Sequence, residues 1–414
     1  MFTAFISQIS DVSGSVRTNQ SMVNSINIAH MKISSQTSER GIVVNLSNNT
    51  TGRLDFPDVA VYRKDIYIVW ADNSHGNYDI YLTKSTDGGT SFSDPVNLSN
   101  NIGHTINPSI IASENDVYVV LSDNSTGNYD IYLMKSTDGG ITFSGLINLS
   151  NNTGLSDFPE MAVVGNGINK NVYVTWVDNS GTNYDIYLIK STDGGTSFGR
   201  AINLSTTGAL SDFPEIVVTT NEKSNVVYIA WVEKIPEYMS RVLSATANDE
   251  IFFVRSTHED TAFSDPNNLS NNPSVSTDPQ LAISNSSVYV VWYDEKTSKN
   301  GEILFTRSNN YGVNFDKITN LSSNTGSSYQ PDITACGSNV YVVWSGQNDL
   351  QTFDIFLSKS GNNGDTFDET INVSSNSEFS KSPRIAVSES CKYVYVVWIE
   401  DFLEGDEIFL QKMP

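Results

Sequence analysis

Three short segments hold the side chains best suited to chemistry: Asp55-Phe56-Pro57-Asp58, Asp157-Phe158-Pro159-Glu160 and Asp212-Phe213-Pro214-Glu215. A carboxylate beside an aromatic ring can hold a cation such as Ca²⁺, receive a basic peptide, or bind a neutral glycan by stacking and hydroxyl hydrogen bonds. The same letters also suit capped turns with the phenylalanine packed between loops. The ligand-binding candidates are therefore Asp55, Phe56, Asp157, Phe158, Asp212 and Phe213, joined by Arg241 and Arg384 from the same side of the repeat. No catalytic residue and no metal ligand is assigned, and Ca²⁺ is the one cofactor in view. A further acidic loop, Asp72 to Asp79, resembles part of a calcium loop but lacks the closing bidentate glutamate.

A second polar pattern looks catalytic in isolation. The nine residues Lys84–Phe92, KSTDGGTSF, return unchanged at Lys190–Phe198 and with one change at Lys135–Phe143. A hairpin accounts for these letters: Asp takes hydrogen bonds from turn amides, Gly supplies positive φ, and the aromatic plugs the sheet behind. Three further units keep the serine–phenylalanine spacing but lose the acid, so a cooperative metal array is disfavoured.

These motifs must be positioned by something that repeats. Asn45, Asn97, Asn148, Asn203, Asn268 and Asn320 each open an Asn-Leu-Ser tripeptide, and Asn372 opens Asn-Val-Ser. Intervals of about 50 residues signal a propeller or a solenoid. Each unit contains four β-rich runs separated by Asn, Asp and Gly turns. The expectation is an all-β, seven-bladed propeller of four-stranded antiparallel blades, with repeats beginning near residues 56, 107, 158, 213, 278, 330 and 382. The seventh unit ends after its third strand, and residues 41–47, GIVVNLS, match the missing fourth. The domain is thus 41–414, closed by its own N-terminal strand, and residues 1–40 form an extension or linker.

Repeat position separates scaffold from candidate site. All six tryptophans fall in one slot, at the end of the second strand, and are expected to pack between blades. Arg255 and Arg307 share a slot with Lys84, Lys135, Lys190 and Lys359, and are expected to snorkel along a blade strand. The fourth unit carries an extra segment from Glu233 to Glu250, with Tyr238, Met239, Arg241, Val242 and Leu243 as a possible lid or partner contact.

The conserved hairpin letters within the chain, Ser85, Asp87, Gly89 and Phe92, then Ser136, Asp138, Gly140 and Phe143, then Ser191, Asp193, Gly195 and Phe198, resemble the Asp-box (BNR) repeat of sialidase-like propellers. The resemblance extends as a repeat pattern over residues 41–414. It implies that these turns are structural and lie on the face opposite the ligand site. A sialidase would add three arginines, one of them two residues before a repeat proline. Those positions hold Asp55, Ile106, Asp157, Asp212, Thr277, Tyr329 and Lys381. Acids there repel an anionic sugar.

Bulk properties narrow the partners. The 414 residues carry a net charge of −23, which repels phosphate backbones and excludes nucleic acid. No run is long and apolar enough to span a bilayer, and the N-terminus lacks the basic and apolar regions of a secretory leader. Two cysteines, Cys336 and Cys391, leave their pairing open. Sequons at Asn45, Asn97, Asn124, Asn148, Asn203, Asn268, Asn285 and Asn320 permit glycosylation in a secreted protein. The function expected is a monomeric, secreted or cell-surface prokaryotic binding module for carbohydrate or protein, without catalysis. The alternatives are a sialidase-type exo-glycoside hydrolase and a structural surface protein.

Overall fold

The computed structural model describes residues 42–47, 51–181, 183–220, 224–236, 248–258, 262–295, 300–323, 326–376 and 378–414. The N-terminal extension and the 237–247 part of the blade-four insertion, with Arg241, lie outside the described residues. Seven antiparallel sheets follow one another along the chain. Their innermost strands touch in cyclic order, the last against the first, so the sheets form a closed seven-bladed ring.

The second strand of each blade explains why the ring holds together. In blade one it is Asp65–Asp72, buried at every position but the first. Burial on both faces requires a continuous apolar run rather than alternation, and DIYIVWAD supplies one. Each hydrophobic cluster draws on two neighbouring blades. One cluster joins Leu54, Ile66, Ile68 and Trp70 of blade one to Tyr395, Val397 and Leu410 of blade seven. All six tryptophans are buried as inter-blade filler, as their shared slot implies.

Closure follows the expected strand. Ile42–Asn45 pairs antiparallel with Gly405–Met413, with Val44 opposite Leu410 and Asn45 opposite Phe409. Two further bonds extend the ladder: Leu46 N donates to Ile408 O at 2.8 Å, and Ile408 N donates to Ser47 Oγ at 2.9 Å. Leu46 is buried in the seam.

The repeated polar motifs prove to be fasteners. In the Ser85–Phe92 turn, Asp87 Oδ1 accepts from Thr90 N and Ser91 N at 2.9 and 3.0 Å, while Ser85 Oγ accepts from Gly89 N at 2.9 Å. These bonds hold Asp87, Asp138 and Asp193 below the usual carboxylate range, to about 2 for Asp193. The Asn-Leu-Ser motif ties the outer strand to the third: Asn97 Nδ2 and Ser99 Oγ both donate to Asp79, at 2.9 and 2.8 Å. Asn148, Asn203 and Asn320 repeat the bond. Their amide nitrogens, which a glycan would need, are therefore engaged inside the fold.

One expectation is corrected here. Four of the third-strand cations, Arg307 among them, do not merely snorkel. Lys84 Nζ donates to Gly139 O at 2.9 Å, Lys135 Nζ to Gly194 O at 2.8 Å, and Lys412 Nζ to Gly88 O at 2.7 Å. Arg307 likewise reaches Asn363 O and Asp365. Each cation pins the glycine-rich turn of the following blade. A lysine stem long enough for solvent is also long enough to find carbonyls that the turn's positive-φ residues turn outward, at Gly88 for example (φ 77°).

Cys336 and Cys391 form a disulfide with Cα atoms 5.5 Å apart, linking blades six and seven across 55 positions. Chain-entropy arguments give such a cross-link about 4 kcal/mol. The Cys336→Ser/Cys391→Ser variant is expected to unfold at clearly lower urea concentration than the oxidised protein. Coincident unfolding curves would show that the cross-link adds nothing to the ring.

Candidate functional site

The site begins with a backbone irregularity repeated seven times. Every innermost strand carries a bulge at its proline, for example between Asp55 and Asp58, Asp157 and Glu160, and Lys381 and Arg384. The residue before each proline is left-handed: φ is 53° at Phe56, 50° at Phe158, 48° at Phe213 and 51° at Ser382, with Asn107, Asp278 and Gln330 alike. A non-glycine residue there costs on the order of 1–3 kcal/mol, and such strain clusters at functional sites. First and third strands run the same way, so the prolines and the glycine-rich turns lie at opposite ends of the ring.

The bulge decides which side chains meet the axis. A cavity of about 210 Å³ on the axis is lined by Phe56, Phe158, Phe213, Asp58, Glu160, Glu215, Gln280 and Arg384, with six of the repeat prolines between them. The residue after the proline thus faces inward. The acids two residues before it, expected to line the funnel, do not. Asp55 pairs with Arg53 at 2.9 Å and accepts from Tyr78 Oη at 2.8 Å. Asp157 accepts from Asn107 Nδ2, Ser122 Oγ and Phe158 N at 2.7, 2.7 and 2.8 Å. Asp212 holds Lys234 at 3.0 Å. The extra residue of the bulge rotates these carboxylates off the axis, a change that period-two alternation does not foresee.

Asp157 and Asp212 nevertheless border a second hollow. It measures about 340 Å³, runs between blades three and four, and is lined by Leu155, Asp157, Phe158, Tyr184, Leu210, Asp212 and Lys234 among others. Phe158 lines both hollows and packs against Phe213 at 4.8 Å between ring centroids. Phe158 thus stands at the boundary between the two hollows. Of the eight sequence candidates, Phe56, Phe158, Phe213 and Arg384 line the axis, Asp157 and Asp212 line the groove, Asp55 is locked to Arg53, and Arg241 lies outside the described residues.

Charge is arranged unevenly around the axis. Asp58 accepts from Val59 N and Ile110 N at 2.8 and 2.7 Å, and Asp332 from Ile333 N and Ile385 N at the same distances. Each carboxylate so clips its own blade to the next. Arg384 sits between these two blades, and Asp332 and Asp58 are the leading attractions that raise its pKa against the effect of burial. Burial pushes Asp332 up to about 6 and Glu160 up to about 8, and raises Asp58 and Glu215 as well. Arg384 is the only arginine lining the cavity among the described residues, so no trio of arginines converges there. Among the described residues no group of three or more His, Cys, Asp or Glu side chains is arranged to hold a metal ion, which leaves the Ca²⁺ expectation without a cradle.

Sequence reasoning missed a row of rings on blades five to seven. Tyr293 lies 5.3 Å from Tyr329, Tyr329 5.6 Å from Phe353, and Phe353 4.9 Å from Phe379. Tyr329 and Phe379 are exposed. The four occupy four different repeat slots, so no column of the repeat displays them together. Gly301 leaves the space that Tyr293 fills, since a Cβ there would stand 2.1 Å from the tyrosine ring.

Comparison with known proteins adds the fold. The polysaccharide lyase Uly1 superposes with a TM-score of 0.56 at 9% identity, over 91% of this chain and 98% of its own. The GH93 α-L-arabinofuranosidase of Fusarium graminearum, solved with arabinobiose, gives 0.52 at 10% identity over 91% and 98%. An intramolecular trans-sialidase from Ruminococcus gnavus gives 0.49 at 10% identity over 90% and 97%. No family model matches the chain, and no curated protein does. The first two likenesses show a shared fold; activity must be argued from the site. No helix among the described residues is long and apolar enough to cross a membrane.

Proposed function

We propose that this protein is an extracellular carbohydrate-binding propeller that holds its ligand, without cleaving it, on the face opposite the Asp-box-like turns. The observation that carries the proposal is the pair of neighbouring hollows, the axial cavity and the groove between blades three and four, with Phe158 lining both. Concave sites with apolar walls and a few convergent polar groups are the usual form of a small-ligand site. Here Phe158, Phe213 and the 38% exposed Tyr184 offer ring surface, and Asp157, Asp212 and Lys234 offer hydrogen bonds to hydroxyls. That a lyase named for polysaccharide and an arabinofuranosidase share the architecture is consistent with a sugar ligand. The Cys336–Cys391 bridge suits an oxidising, extracytoplasmic setting. That Arg384 is the only arginine lining the cavity among the described residues supports binding rather than sialidase chemistry.

The proposal is tested by a glycan array followed by calorimetric titration. At least one oligosaccharide is expected to bind, and Phe158→Ala and Tyr184→Ala are expected to weaken it at least tenfold while melting near the parent temperature. Weakening by Phe379→Ala instead would relocate the site to the ring row and refute the groove. Turnover of a fluorogenic sialoside would refute the non-catalytic assignment.

A further inference from the structure

The axial residues divide into two unequal groups. The seven positions after the prolines read, in ring order, Asp58, Ser109, Glu160, Glu215, Gln280, Asp332 and Arg384. Arg384 of blade seven stands between Asp332 of blade six and Asp58 of blade one, whose carboxylates are bound to backbone amides of adjacent blades. Glu160 and Glu215 stand on neighbouring blades three and four and feel the charge of Arg384 across the cavity, but Asp332 and Asp58 act on Arg384 more strongly than they do. Glutamate has one methylene more than aspartate, which carries its carboxyl past the amide that an aspartate would clip and toward the axis. Glu160 meets Ser109. The influences on Glu215 are burial and the charges of Glu160, Asp332, Arg384 and Asp58, and no hydrogen-bond donor is among them.

Three independent features converge on this pair. The Phe158 and Phe213 rings belong to the same two blades and line the same cavity. The 340 Å³ groove opens between those blades and ends at Phe158. The axial cavity, about 210 Å³, has the volume of roughly seven waters; it admits the end of one sugar but not a chain. Aromatic faces and paired carboxylates share one complement, a cation on a short stem.

We propose that the glycan held at this face is an amino sugar with a free, unacetylated amine, whose ammonium enters the axial cavity between the Phe158–Phe213 rings and the Glu160–Glu215 carboxyls. This rests on the carbohydrate assignment above. The following sugar units lie along the groove over Phe158 toward Tyr184. Burial raises Glu160 to about 8 and raises Glu215 as well, which favours their protonated forms, with Asp58, Asp278, Asp332 and Arg384 as the other ionisable groups that face the axis. Entry of an ammonium favours their ionised forms, so binding releases protons.

The test is calorimetry of the full chain at pH 7 with three probes: a glucosamine tetrasaccharide, its N-acetylated counterpart, and tetralysine. The glucosamine form is expected to bind at least tenfold tighter than the acetylated form and to release protons, seen as a dependence of the heat on buffer. Glu160→Gln and Glu215→Gln are expected to bring the two oligosaccharides within about twofold, with melting temperature retained. Equal binding of both oligosaccharides by the parent protein overturns the amine and leaves the carbohydrate assignment standing, as does binding of other neutral glycans alone. Failure of every sugar on the array and in solution overturns both. Binding of tetralysine without either oligosaccharide overturns both in favour of a basic protein partner.

Discussion

Deleting residues 41–47 lowers the melting temperature by roughly 5–10 °C and exposes a sheet edge that pairs between molecules. The size follows from what the segment does. It completes blade seven through the Ile42–Asn45 ladder and the bonds to Ile408. Each backbone bond adds about 1 kcal/mol net, and burying Leu46 adds about 2 kcal/mol. In a domain of this length each kcal/mol lost lowers the midpoint by roughly 1–2 °C. The freed edge of Gly405–Met413 offers unpaired amides and carbonyls, the usual template for association. Differential scanning calorimetry with light scattering checks both effects. An unchanged melting curve in the truncated chain would mean that the ring is held shut without its seventh outer strand.

Replacing Arg384 with glutamine destabilises the protein by about 1–3 kcal/mol, less than the loss of a partner from a fully buried charge cluster because Arg384, Asp58, Glu160 and Glu215 are half-buried, and does so more at pH 8 than at pH 5. The asymmetry has a definite sign. Burial raises the folded-state pKa of Glu160 to about 8 and of Asp332 to about 6, and raises Asp58 and Glu215 too. Between the ordinary carboxylate range and those values, the folded chain holds protons that the unfolded chain has released. Stability from these groups is fully present below the ordinary carboxylate range, near pH 4, and is lost as pH rises from there through 6 toward 8. Arg384 limits that loss by favouring the ionised forms; without it the slope steepens. Urea unfolding at pH 5, 6.5 and 8 measures this, and Arg384→Lys should recover part of the loss because the charge returns without the planar fork. Equal destabilisation at pH 5 and pH 8 would show that Arg384 acts by packing alone.

The architecture was legible because it is written seven times. The Asn-Leu-Ser column marks the outer strand, the tryptophan column marks the second, and a strand missing at one end of the chain appears at the other. The candidate site was legible only in part. Phe56, Phe158, Phe213 and Arg384 reach the axis, as motif position suggested. Asp55, Asp157 and Asp212 do not line it, because the proline bulge inserts a residue and reverses the facing of everything on one side of it. Alternation alone gives no sign of that bulge; seven prolines with a non-glycine residue forced to positive φ before each one are visible only in three dimensions. The inward acids Asp58, Glu160 and Glu215 stood in the same motif, and a bulge placed at the proline would have selected them. The ring row of Tyr293, Tyr329, Phe353 and Phe379 was hidden for a different reason. It is assembled sideways across three blades, while a repeat alignment reads down columns.

Lys412 binding Gly88 closes the ring with the same hydrogen bond that Lys84 and Lys135 make between interior blades. The joint between last and first blade is thus chemically one more ordinary joint. Where the polypeptide starts has become a matter of bookkeeping rather than of architecture. A chain whose ends were fused, and which was opened instead in the loop after some other outer strand, would have the same seven neighbours in the same order. In such a molecule blades can be renumbered through rearrangement of the gene, while the axial charges, set by their cyclic order alone, stay where they are.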